Sequence, residues 1–167
     1  MSWGLFALTL LVVYVLQTAV VGLFDLPWVD LFLVLALAYG LTVPLHDARI
    51  GAWIIGLVQD LGAADALGIH AFALGLTGLL VTALRAMVNV NLWWVRLLVA
   101  FPAAWVGAAL YLLHLHLWAN APFASWWALL ASSAWTAFVA ALAAAIVTAY
   151  PRMITGRRRR VHLLAGR

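Results

Sequence analysis

Between Arg96 and Arg152 the chain contains no Asp, Glu, Lys or Arg, and none precedes Asp25. A polypeptide cannot solvate a water-facing surface across stretches of that length. A hydrocarbon core about 30 Å thick is crossed by about 17 to 25 helical residues, so these runs read as membrane spans. Composition agrees: 68% of the 167 residues are apolar or aromatic and 8% are charged, against about 25% charged in a soluble domain. The expected class is one all-α integral membrane domain, with the first apolar run retained as an uncleaved span because no basic residue precedes it.

Dividing the chain at its charges and its Pro, Gly and Asn clusters gives six spans. They run Trp3 to Phe24, Trp28 to Leu45, Ile50 to Ala63, Ala66 to Leu84, Trp94 to Trp118 and Trp126 to Tyr150. Asp25-Leu26-Pro27 and Asn120-Ala121-Pro122 supply turns, Asp65 and Gly68 break the third span from the fourth, and Pro151 stops the last helix. The third and fourth spans are expected to be short and Gly-rich. A re-entrant hairpin over Ile50 to His70, giving five spans, is the competing count. Residues 1–151 then form the membrane domain and 152–167 a basic cytoplasmic tail.

All nine basic residues are Arg. With the N-terminus inside, Arg49, Arg85, Arg96 and the tail arginines all fall on the inner face, and Asp25, Asp30 and Asp65 on the outer, so an N-in, C-in orientation follows. Seven of the Trp residues (Trp3, Trp28, Trp93, Trp94, Trp118, Trp126 and Trp127) lie near span ends, the level of the headgroups. Arg152, Arg157, Arg158, Arg159 and Arg160 are expected to meet anionic lipid rather than nucleic acid, which four adjacent arginines without interleaved aromatics do not specify.

Asp60 is the acid placed deepest, about ten residues into the third span, where a carboxylate costs about 2.5 kcal/mol or more. It reads as a hydrogen-bonding anchor, with proton relay or ligand binding as competing roles. Asp60→Asn is accordingly expected to be milder than Asp60→Leu. No second deep acid accompanies it, so a paired-aspartate protease is not expected. Ser132 and Ser133 lack a nucleophile-elbow setting. His114 and His116 point about 200° apart on a helix and do not share a metal readily. No enzyme activity, cofactor or metal is expected, and the absence of cysteine removes thiol chemistry. Small-residue strips at Ala52 and Gly56, and at Ala137, Ala141 and Ala145, are candidate helix–helix or partner contacts.

From Pro27 to Val81 the order of residues resembles the family of the rod shape-determining protein MreD. Gly56, Leu57, Asp60 and Leu61, followed by Leu67 and Gly68, match that family's Gly-Leu-x-x-Asp-Leu and Leu-Gly pattern. The resemblance implies a non-enzymatic scaffold of the bacterial cytoplasmic (inner) membrane that serves cell elongation and peptidoglycan synthesis. It would bind an MreC-like bitopic partner and, through it, MreB and the RodA/penicillin-binding-protein synthase. The alternative from another class is a substrate-binding subunit of a vitamin uptake transporter, similar to the S-components, with Asp65, His70, His114, Trp118 and Asn120 near an outward pocket.

Overall fold

The computed structural model describes residues 3–21, 30–63, 67–119 and 125–164, with backbone alone at 20, 21, 119 and 150–164. Among the described residues the chain is all-helical. Helix α1 spans Trp3–Leu16 and continues as a π-helical turn, Gln17–Val21. It is followed by α2 Leu31–Thr42, α3 Leu45–Gly62, α4 Ile69–Met87, α5 Trp93–Ala119 and α6 Trp126–Leu164. Among the described residues three helical segments are long and apolar enough to cross a membrane: Ile69–Met87, Trp93–Trp118 and Trp126–Ala149. Trp3, Trp93 and Trp126 each open a helix, as the span ends suggest.

The side-chain contacts fix the direction of each helix. Antiparallel packing of α3 on α4 sets Gly56 against Ala71, Ala52 against Gly78, and Arg49 against Thr82. Helix α5 returns along α4, pairing Thr77 with Gly107 and His70 with Tyr111. Phe6 of α1 meets Tyr39 near the end of α2, whereas Tyr14 meets Phe32 near its start. Successive helices therefore alternate, and Phe6 of α1 and Thr148 of α6 lie at the same end of the bundle. Arg49, Arg85 and Arg96 share that end. The core is built where small residues let backbones approach: Ala36 and Leu37 of α2, Ala100, Ala103 and Ala104 of α5, and Ala137, Ala140 and Ala144 of α6 lie in one cluster.

Two helix boundaries and the relative lengths of the helices differ most from the sequence reading. Helix α3 begins at Leu45, directly after Pro44, rather than at Ile50, and Asp47 in its first turn complements the helix dipole. With 18 and 19 residues, α3 and α4 are longer than the 12-residue α2, though Gly-rich as expected. Pro151 does not stop α6, whose backbone stays helical to Leu164 across the expected domain boundary. A proline removes one backbone donor and bends a helix but is tolerated where neighbouring groups compensate, as Pro102 is inside α5. The connections 22–29 and 120–124, with Pro27 and Asn120, and Asp65 between α3 and α4, lie outside the described residues.

Candidate functional site

Gly68, with φ of 101°, caps the start of α4 in the left-handed conformation that only glycine adopts without strain. The first N–H groups of a helix have no partner within it. Here a side chain from the preceding helix supplies the acceptors. Asp60 Oδ1 accepts from the His70 N–H and His70 Nδ1, each at 2.9 Å, and Oδ2 accepts from the Gly68 and Ala71 N–H groups, each at 3.0 Å. Asp60 is 2% exposed, and four donors saturate it.

Because α3 begins earlier than the sequence suggested, Asp60 stands in its last turn rather than at mid-span. Its oxygens tie the last turn of α3 to the first turn of α4. An Asn amide that keeps its oxygen on the Gly68 and Ala71 N–H groups sets its NH₂ toward His70, where the other imidazole tautomer lets Nδ1 accept and only the backbone N–H loses its partner. Asn is therefore a milder replacement than Leu. The Asp60 carboxylate also fixes Nδ1 of His70 as an N–H donor. The imidazole lies 4.9 Å from the Tyr111 ring, centroid to centroid.

Asp30 builds the same end of the bundle from α2. Its Oδ1 caps that helix by accepting from Phe32 and Leu33 N–H at 3.0 Å each, and its Oδ2 accepts from Gln59 Nε2 at 3.4 Å. Gln17 Oε1, in the π-helical turn, accepts from the Leu31 N–H at 2.9 Å. These contacts border an open cavity of about 190 Å³ lined by Tyr14, Gln17, Thr18, Phe32, Gln59, Gly62, Ala63, His70 and Tyr111. Gln59 Oε1 is buried without a hydrogen-bond partner. An Asp directly before an apolar run is a helix start signal, one that beginning the second span at Trp28 passes over. Nothing in the sequence spacing joins Tyr14, Gln17 and Tyr111 to it.

At the opposite end arginines hold the helices. Arg85 Nη1 donates to the carbonyls of Gly40 and Val43 at 2.9 and 2.7 Å, closing the C-terminus of α2. Arg49 Nε donates to Thr82 Oγ1 at 3.0 Å. The two clusters make the bundle electrically polar, acidic at one end and basic at the other.

The remaining site residues divide by exposure. Gly56 and Asp60 face inward, while Leu57, Leu61 and Leu67 are 52%, 71% and 74% exposed. Ala52, Ala137 and Ala141 are buried in the chain's own helix contacts, and Ala145 is half-buried, so these strips are not open grooves. Of the residues expected around an outward pocket, His70 lines the cavity. His114 instead stacks on Trp118 at 4.6 Å, and Asp65 and Asn120 lie outside the described residues. Ser132 and Ser133 hydroxyls donate to the Leu129 carbonyl. No metal-ligating cluster occurs among the described residues. The side chains of Arg152 and Arg157 to Arg160 lie outside the described residues. Comparison with protein-family models, curated proteins and solved structures finds no match to this chain.

Proposed function

We propose that the chain is a six-span protein of the bacterial cytoplasmic membrane, both termini inside, that acts as a non-enzymatic scaffold of the cell-elongation machinery. It would hold an MreC-like bitopic partner, linked onward to MreB and the RodA/penicillin-binding-protein synthase. The observation that carries this reading is the engagement of Asp60. The most chemically capable residue of the Gly56-to-Gly68 motif accepts four hydrogen bonds within the fold, so the motif acts as a joint between α3 and α4. The same joint turns Leu57 and Leu61 outward beside Trp53, itself 42% exposed, in one row at helical spacing.

Because Ala52, Gly56, Ala137 and Ala141 are covered by the chain's own helices, the partner helix meets the bundle elsewhere. We assign that contact to the Trp53, Leu57 and Leu61 row. The arginine end faces the cytoplasm on the positive-inside rule, and the tail arginines engage anionic lipid there. Affinity purification of the full chain from its native membrane tests the reading. A bitopic MreC-like protein should copurify with the wild type and be lost from Leu57→Ala/Leu61→Ala, while thermal unfolding of that variant is unchanged. Recovery of no such partner by the wild type would overturn the scaffold function.

A further inference from the structure

Arg49 is held in a way that the scaffold reading does not use. Its Nε donates to Thr82 Oγ1 at 3.0 Å, and Thr82, fully buried, is itself fixed by donating to the Gly78 carbonyl at 2.8 Å. A guanidinium anchored through Nε keeps one orientation and presents its Nη1 and Nη2 donors at the far edge. Among the described residues those donors meet no acceptor, and Arg49 is exposed. The other two arginines of this end are turned inward. Arg85 reaches the carbonyls of Gly40 and Val43, and Arg96 is buried against Val90 and Thr148.

No described carboxylate offsets the charge of Arg49. Asp47 stands two residues earlier on α3 and so points about 200° away around the helix, while Asp30 and Asp60 lie at the other end of the bundle. The positive pole of α3 and the negative pole of α4 meet at this end and cancel. The surroundings are those of a membrane edge. Thr82 lies five residues short of the end of the apolar segment Ile69–Met87, about 7.5 Å along the axis. Deeper along the seam between α3 and α4, the Trp53 ring covers Gly75. Trp53 is one turn on from Arg49 and Leu79 one turn on from Gly75, and both side chains are exposed. An oriented, uncompensated cation at the edge with an apolar wall beneath it matches an anion that carries hydrocarbon chains. A free phosphate would leave the wall unused.

We propose that the seam between α3 and α4 at Arg49 binds one anionic phospholipid, its phosphate on Arg49 Nη1 and Nη2 and an acyl chain along Trp53 and Leu79. A zwitterionic lipid carries its own ammonium beside the phosphate and gains less from the guanidinium. The site is independent of the scaffold role. Trp53 borders the row assigned to the partner helix, but the phosphate contact lies one turn away from it, so the lipid can be bound whatever partner the chain holds.

Native mass spectrometry of the full chain in detergent, titrated with dioleoylphosphatidylglycerol or dioleoylphosphatidylcholine, counts the lipids bound. One phosphatidylglycerol should be held at least about tenfold more tightly than phosphatidylcholine. The variant Arg152→Gln/Arg157→Gln/Arg158→Gln/Arg159→Gln/Arg160→Gln should keep that lipid, which separates it from lipid gathered by the tail. Arg49→Lys retains the charge but loses the planar fork, and should weaken the lipid about tenfold. Thr82→Val leaves Arg49 whole and removes only its anchor, and should weaken the lipid about threefold or more. Attraction of a headgroup to charge alone would survive both substitutions. Excess inorganic phosphate should not displace the lipid. Arg49→Lys decides the matter if Thr82→Val does not fold. Equal binding of the two lipids, loss of the lipid with the tail arginines, undiminished binding by folded Arg49→Lys or Thr82→Val, or displacement by inorganic phosphate would each overturn the proposal.

Discussion

Arg96, in the first turn of α5, donates through Nη1 to Thr148 Oγ1 at 2.9 Å, tying the start of α5 to the far part of α6. Its Nε donates to the Val90 carbonyl in the preceding turn, also at 2.9 Å, and the residue is 6% exposed. A guanidinium in apolar surroundings is tolerated when its donors are matched. A double-mutant cycle with Arg96→Met and Thr148→Val should give a coupling of about 1 to 2 kcal/mol in detergent unfolding. A coupling near zero would mean that the two residues are held in place by other contacts.

Asp60→Asn should be milder than Asp60→Leu. Leu leaves the Gly68, His70 and Ala71 N–H groups without an acceptor, at about 1 to 3 kcal/mol apiece, whereas Asn leaves one of them. Thermal unfolding of the two variants beside wild type checks this. Equal losses would show that the cap needs both carboxylate oxygens.

Gly56 and Gly68 should fail for different reasons. A Cβ on Gly56 would come within 2.5 Å of the Ala71 Cα and the His70 carbonyl oxygen, both backbone atoms that cannot step aside. A Cβ on Gly68 meets nothing within 4 Å, but its φ of +101° strains any side chain. Gly56→Ala should therefore separate α3 from α4 at a cost of about 1 to 3 kcal/mol. Gly68→Ala should cost about 1 to 2 kcal/mol, and Gly68→Asn less, because Asn tolerates the left-handed region better. Equal losses for Gly68→Ala and Gly68→Asn would point away from backbone strain.

The orientation can be read by labelling, since the chain has no cysteine. Ala48 is fully buried and unsuitable, whereas Asn89 between α4 and α5, Leu67 before α4 and Ser125 before α6 are exposed. An impermeant maleimide should reach Leu67→Cys and Ser125→Cys from outside, and Asn89→Cys only after the membrane is opened. Labelling of Leu67→Cys and Asn89→Cys from the same side would sink the alternating arrangement.

Much of this architecture is visible in the sequence because lipid imposes simple rules. Apolar runs become helices, Trp3, Trp93 and Trp126 mark their starts, and Gly68 marks the break before α4. What escaped depends on contacts between segments distant in the chain. The start of α3 was misplaced because His46, Asp47 and Arg49 look like a loop, yet Asp47 suits a helix N-terminus and Arg49 finds Thr82. Asp60 looked like a mid-span acid for the same reason. Gln17 and Tyr111 join the cavity only through packing, and neither carries a charge that would single it out.

The packing of α2 against α6 has a consequence for the order in which the molecule is made. Helices α3 and α4 are neighbours in the chain, and their joint at Asp60 can close as soon as both have left the ribosome. The seam that α2 forms with α6 needs the alanines of α6, which are synthesised after α2 to α5. Until then α2 presents a bare face to lipid or to any chaperone that reads exposed helices. A chain interrupted before α6 would retain its acidic joint yet lack one wall of its core, so surveillance of this protein during biogenesis should turn on the arrival of α6.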